Sequence, residues 1–144
     1  MPKRSRLVVL YTLLCGCSAV SAEQYEIDGV RISLDSAKCL LKVNDKSLSV
    51  DMKPSCYVVK HNGGEAGVKY YDDIKSHVLL IVGTSAPKNP EYPLTLKRND
   101  CGSQLRALII KNGTALLSSK TFSDGLTCAG VGADQKEYYI LSHP

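Results

Sequence analysis

The sequence predicts an all-β fold: a small antiparallel sandwich or partly open barrel of about eight strands, held by two disulfides. Three observations predict it. Apolar and polar residues alternate with a period of two in several short runs, beginning with Val30, Ile32 and Leu34, as expected of half-buried strands. An Asn112-Gly113 pair separates two apolar runs, the pattern of a two-residue hairpin. Four cysteines, Cys39, Cys56, Cys101 and Cys128, remain once an amino-terminal export segment is set aside.

That segment comes first in the chain. Met1 to Ala22 has a basic start (Lys3, Arg4, Arg6), an apolar run from Leu7 to Leu14, and small residues from Ser18 to Ala22. This order is that of a secretory signal. Two exits are open. Cleavage after Ala22 makes residues 1–22 the signal and leaves a free protein of residues 23–144. Alternatively, Leu14-Cys15-Gly16-Cys17 resembles the bacterial lipoprotein box. The signal is then 1–16, and Cys17 becomes an acylated amino terminus. The apolar run is shorter than the roughly 20 residues needed to span a bilayer, so contact with a membrane is expected only through a lipid on Cys17.

Removing the signal changes how the charge is read. The whole chain carries 18 basic and 14 acidic residues, a net charge of +4. Loss of Lys3, Arg4 and Arg6 leaves 15 against 14, or +1. The basic excess therefore belongs to the discarded segment. Lys97-Arg98 is a pair rather than the clustered basic face of a phosphate-binding domain, and no nucleic-acid partner is expected.

The strands follow in order. Val30–Asp35, Cys39–Val43 and the alternating Leu48, Val50 and Met52 give three, with turn chemistry at Asn44-Asp45-Lys46 and a stop at Pro54. Cys56–Lys60 and Val68–Tyr71 flank a glycine-rich turn at 61–67. His77–Val82 is apolar at every position after the first and suits a strand buried on both faces. Leu108–Leu117 forms the hairpin around Asn112-Gly113, and Glu137–Leu141 supplies a last strand. The single short helix is expected at Pro93–Arg98 or just before Leu105. With no linker or repeat, residues 23–144 form one domain.

Four cysteines allow three pairings. Cys39–Cys56 and Cys101–Cys128 are expected because each closes a short loop within its own half of the chain. Structural zinc draws on close Cys-x-x-Cys pairs, which this chain lacks; neither a metal nor a cofactor is expected.

Catalytic groups are sparse. Ser103, His77 and Asp73 can be written as a triad, but no Gly-x-Ser-x-Gly elbow singles out a serine. Asp72 and Asp73 are adjacent and would point to opposite faces of a strand. Two loops carry more character. Thr84–Pro93 holds Pro87, Pro90 and Pro93, which stiffen it, and ends beside Tyr92. Pro87, Pro90 and Tyr92 are the candidate partner-binding residues. Cys128–Lys136 holds Gly130 and Gly132 and reads as a disulfide-anchored turn with no helix after it.

The layout of export signal, lipid-ready cysteine, β domain and two disulfides resembles that of many small bacterial envelope proteins. That group includes lysozyme inhibitors and immunity proteins against periplasmic toxins. The resemblance covers no motif, so no functional residue is carried over. The expectation is an exported, periplasmic or secreted, non-catalytic binding domain of inhibitor or immunity type, with a protein partner. The alternatives are an accessory structural subunit of an envelope assembly and a small secreted hydrolase near His77 and Asp73.

Intact mass of the protein isolated from its own host tests the export reading. The expected start is Glu23 or an acylated Cys17, with four hydrogens missing for two disulfides; an unprocessed Met1 start would overturn it.

Overall fold

A computed structural model describes residues 22–61, 64–84, 99–123 and 125–143. Residues 1–21 of the expected export segment, Cys17 among them, together with Pro87, Pro90, Tyr92, Lys97-Arg98 and the helix expected at 93–98, lie outside the described residues.

The first sheet is a four-stranded antiparallel meander: β1 (Glu23–Ile27), β2 (Val30–Asp35), β3 (Leu40–Val43) and β4 (Lys46–Ser49), in spatial order β1-β2-β3-β4. The second contains β5 (Cys56–Val58), β6 (Val68–Tyr71), β7 (Ser76–Gly83), β9 (Gln104–Lys111) and β10 (Thr114–Leu117). Its order is β10-β9-β7, and β5 and β6 both lie along the far edge of β7. β8 (Cys101–Gly102) and β11 (Thr127–Cys128) make a small ribbon. The chain ends in helix α1 (Gln135–Ser142).

Tight turns set the registers. Asp28-Gly29, Asn44-Asp45 and Asn112-Gly113 all take positive φ at both residues. That is the geometry of the type I′ hairpins whose twist matches the flanking strands. At Asn112 (φ 50°) and Gly113 (φ 72°) the turn expected from the sequence is present. The Asn44 side-chain amide also donates to the Gly113 carbonyl at 3.3 Å, tying a turn of one sheet to a turn of the other.

The architecture is three-layered. Val30, Ile32, Leu34, Leu41 and Val50 from the first sheet side meet Val58, Leu79, Ile81, Leu108 and Ile110 of the second. On its opposite face the second sheet buries Val78, Leu80, Val82, Leu105 and Ala107 beneath Tyr138 and Leu141 of α1. Strand β7 is thus enclosed on both sides: Val78 to Val82 are all 0 % exposed. The Tyr138 hydroxyl donates to the Gly67 carbonyl at 2.7 Å inside this second core. Burial, together with the nearby Tyr71 and Glu137, pushes that phenol up to about 12.

Arg106 closes one end of the sandwich. It stands opposite Ile81 on the inner face of β9. Its Nη1 donates to the Val50 carbonyl (2.7 Å) and the Asp51 carboxylate (3.0 Å), and its Nε donates to the Ser118 carbonyl (2.9 Å). Its hydrogen bond, joined by one from Ser49, holds the Asp51 carboxyl below the usual carboxylate range despite an opposing desolvation effect.

Four details depart from the sequence expectation. Glu137–Leu141 is not a strand but the middle of α1. Asp134 caps the helix and Glu137 reaches back to the Asp134 backbone, a reciprocal capping box. Tyr138 and Leu141, three apart, then fall on one buried face. A helix therefore does begin within Cys128–Lys136, at Gln135. The third strand ends at Ser49 rather than Met52, because Asp51 turns to positive φ (55°) under the grip of Arg106. The described residues hold eleven strands instead of about eight, including β1 and the two-residue β8 and β11. Among them no helix is long and apolar enough to cross a membrane.

Enclosure of β7 makes it the most sensitive element. Leu80→Ala is expected to lower the unfolding free energy by about 2–5 kcal/mol. Leu116→Ala, at a residue 59 % exposed, should stay within about 0.5 kcal/mol; chemical denaturation of both variants checks the contrast.

Candidate functional site

The disulfides pair as expected, Cys39 with Cys56 and Cys101 with Cys128. Persistent disulfides belong to non-reducing, extracytoplasmic surroundings. The second bridge anchors a group of loops held by several backbone hydrogen bonds. It lies where β8 crosses the end of β7. A Cβ on Gly102 would overlap the Gly83 carbonyl, so only glycine lets the two backbones meet there. Thr84, next along from β7, is held through both its backbone N–H (2.8 Å) and its hydroxyl (3.0 Å) by the Ser55 carbonyl.

From Cys128 the chain makes a tight turn to Gly132. Ala129 N–H donates to the Asp100 carbonyl and Gly130 N–H to the Asp100 carboxylate at 2.7 Å. Val131 and Gly132 N–H both donate to the Cys128 carbonyl. The Ala129 carbonyl accepts from Lys60 N–H at 2.7 Å. That last bond joins the turn to the excursion Val59–Gly67, which leaves the edge of the second sheet between β5 and β6 and is closed by a Lys60–Ala66 bridge. Beyond Gly132, Asp134 accepts from Lys136 N–H at 3.0 Å and begins α1. Every backbone N–H from Ala129 to Gly132 thus has a partner, and Val131 at the tip is 57 % exposed.

This cluster is not a metal or anion centre. Asp100 lies against Cys101 and Cys128, but sulfurs bonded to each other provide no thiolate ligand. The amino terminus of α1 faces its own Asp134 and Glu137 carboxylates, which occupy the place an anion would take.

The titratable residues singled out in the sequence are distributed differently. His77 packs against Tyr70, ring centroids 4.8 Å apart. Its register opposite Ile110 puts it at the far end of β9 from Ser103, which precedes Gln104 opposite Gly83. Six residues of strand, about 20 Å, therefore separate Ser103 from His77, and the structure does not bring that triad together. Asp73 instead meets His143, Oδ2 to Nε2 3.0 Å, while Asp72 pairs with Lys75 in solvent. Tyr139 stacks on His143 at 3.9 Å and Tyr71 meets both rings edge-on.

The Ser142 hydroxyl is also 2.9 Å from His143 Nδ1, giving Ser142, His143 and Asp73 the connectivity of a nucleophilic triad. The proton geometry differs. The buried Ser142 hydroxyl donates back to the Tyr138 carbonyl at 2.7 Å. His143 Nδ1 lies 2.9 Å from the Tyr139 carbonyl as well as from the Ser142 hydroxyl, so the serine shares that nitrogen with a backbone acceptor. A general base needs a free nitrogen lone pair at the serine. The arrangement is a latch holding the end of α1 to the β6–β7 turn. An Asp-His pair so distant in sequence carries no local signal.

A separate open cleft of about 530 Å³ lies on the first sheet. Its lining includes Gln24, Glu26, Arg31, Ser33 and Lys42, with Arg31 paired to Asp45 at 2.9 Å. These are solvated positions on the outer face of a sheet.

The latch gives a pH prediction. Partial desolvation pushes the Asp73 carboxyl up, but the hydrogen bond and charge of His143 and the Ile74 N–H outweigh it and leave the group below its ordinary value of 3.8. A carboxylate depressed in the folded state stabilises above its unfolded value and loses that contribution as pH falls through the folded one. Asp73→Asn is therefore expected to lower the melting temperature at neutral pH. The two chains should converge as pH is taken down through the Asp73 titration, as followed by thermal melts.

No protein-family model, curated protein or solved structure matches the chain, so the geometry of the loops and the latch is the basis for assigning a function.

Proposed function

We propose that the chain is an exported binding domain of the bacterial envelope, of inhibitor or immunity type, that engages a protein partner through the loops around Cys101–Cys128. The observation that carries this reading is the pinning of those loops. The turn Cys128–Gly132, the base of the Val59–Gly67 excursion and Thr84 are each fixed to the scaffold by a disulfide or by backbone hydrogen bonds. Loops already held in one shape lose little conformational entropy on association, so more of the contact energy appears as affinity. The export signal and the two disulfides favour the periplasm or the exterior as the working compartment, with a lipid on Cys17 as the route to a membrane-bound form.

The test uses the oxidised mature chain. It is immobilised and exposed to envelope extracts of its host and of competing cells, and the retained protein is then purified and titrated. Saturable one-to-one binding with a micromolar or tighter Kd is the expected result. Turnover of a substrate by the purified chain, abolished by His143→Ala, would overturn the reading in favour of a hydrolase.

A further inference from the structure

We infer that β10 is an assembly edge that pairs antiparallel with β10 of a second copy of this chain, across a two-fold axis at Leu116. The hairpin register fixes which backbone groups are on offer. Lys111 and Thr114 flank the two-residue Asn112-Gly113 turn, so they bond to each other, as do Ile109 and Leu116 two steps on. Ala115 and Leu117 then turn their N–H and C=O groups away from β9. The Ser118 N–H, next in the alternation, is back on the Ala107 carbonyl at 2.8 Å. Among the described residues, nothing meets the outward groups of Ala115 and Leu117.

A bare edge draws in further strands unless charge, proline or cover guards it. The other described edges of the two sheets are guarded. β1 carries Glu23 and Glu26, so self-pairing there would crowd carboxylates from both copies. β4 begins with the exposed Lys46. β5 and β6 share an edge interrupted by the excursion between them. There the Cys56 N–H already donates to the Ser36 carbonyl at 3.0 Å, and β6 holds Lys69. β10 has none of these devices: no charged residue or proline occurs from Asn112 to Ser119.

A second copy fits this edge by symmetry, because the strand is its own complement. With Leu116 on the axis, Ala115 lies opposite Leu117 of the other copy. Each such pair exchanges an N–H and a C=O in both directions. Leu116 meets its own mate in the closer, non-hydrogen-bonded type of pair. Ala115 and Leu117 pack toward the first sheet, so Leu116, 59 % exposed in the single chain, stands on the helix side. Ile109 lies beside it on that side. In the pair, these side chains and their mates form one apolar strip between two copies of α1. The ladder is short, and it buries less than the roughly 1,200–2,000 Å² of standard interfaces, so the two copies exchange with free chains. β10 lies along Leu108–Lys111, at the far end of β9 from Gly83 and the Cys101 bridge. Pairing therefore leaves the loops around that bridge open in both copies and does not depend on the role proposed for them.

The test is sedimentation velocity on the oxidised protein purified from its host, over a range of concentrations, with hydrogen exchange followed at the Ala115 and Leu117 amides. Reversible dimerisation with a Kd of about 10–100 µM is expected. Both amides should exchange freely in the dilute monomer and slow about tenfold or more in the dimer. Leu116→Lys sets two ammonium groups face to face on the axis. Ala115→Pro removes one outward N–H from each copy and leaves the β9 ladder whole. Each is expected to weaken dimerisation about tenfold or more, with the melting temperature in dilute solution unchanged. Ser47→Lys, on the β4 edge, should leave the Kd as it is. Leu116→Lys decides the matter alone if Ala115→Pro does not fold. A monomer at every concentration overturns the inference: free amides then mean an edge left bare, and protected amides mean cover by the same chain. Dimerisation unaffected by Leu116→Lys also overturns it, because the contact then lies elsewhere.

Discussion

The structure depends on a single strand being covered on both faces. From Val78 to Val82, β7 has no solvent-exposed residue, and its odd and even side chains go to different cores. Leu79 and Ile81 need the first sheet; Val78, Leu80 and Val82 need α1. Each such aliphatic side chain gains about 1.5–3 kcal/mol from full burial, so loss of either layer would expose several at once. The meander at the start of the domain and the helix at its end are far apart in sequence, yet each shields one face of the same strand.

The remaining restraints sit where those layers would otherwise separate. Cys39–Cys56 ties the chain after β2 to the first strand of the second sheet. Arg106 joins β9 to the segment after β4 and to Ser118, with its guanidinium largely enclosed by the groups it serves. On the helix side, the Tyr138 hydroxyl and the Asp73–His143 contact hold α1 at its middle and its end, and Lys120 donates to the His143 carbonyl at 2.8 Å. Each disulfide contributes roughly 3 kcal/mol by restricting the unfolded chain, a sizeable fraction of the roughly 5–15 kcal/mol net stability of a native domain.

Much of this was legible in the sequence, for physical reasons that also explain what was not. Alternation at Val30, Ile32 and Leu34 marks a strand with one wet face, and the unbroken run at Val78–Val82 marks one with none. Asn112-Gly113 is local chemistry and could be placed at sight. The carboxyl-terminal segment reads as a strand because Tyr138, Tyr139 and Ile140 are good strand formers, whereas the Asp134 and Glu137 capping pair decides for a helix. Asp28-Gly29 carried the same hairpin signal as Asn112-Gly113 and marks β1. The partners of Arg106 and Asp73 are 55 and 70 residues away; no window of sequence contains such pairs. The turn at Cys128–Gly132 was legible as a turn, but its hold by Lys60 and Asp100 belongs to the fold alone.

The excursion between β5 and β6 has a consequence for how this domain can change over time. Both flanking strands pair with the same edge of β7, β5 against Val82 and its neighbours and β6 against Val78 and its neighbours. The register of each is fixed by its own ladder, so residues can be gained or lost in the intervening loop without shifting either side. Loop-closure cost rises only slowly with length. The connection between β5 and β6 can therefore be remodelled repeatedly while the layers that the two strands belong to stay as they are.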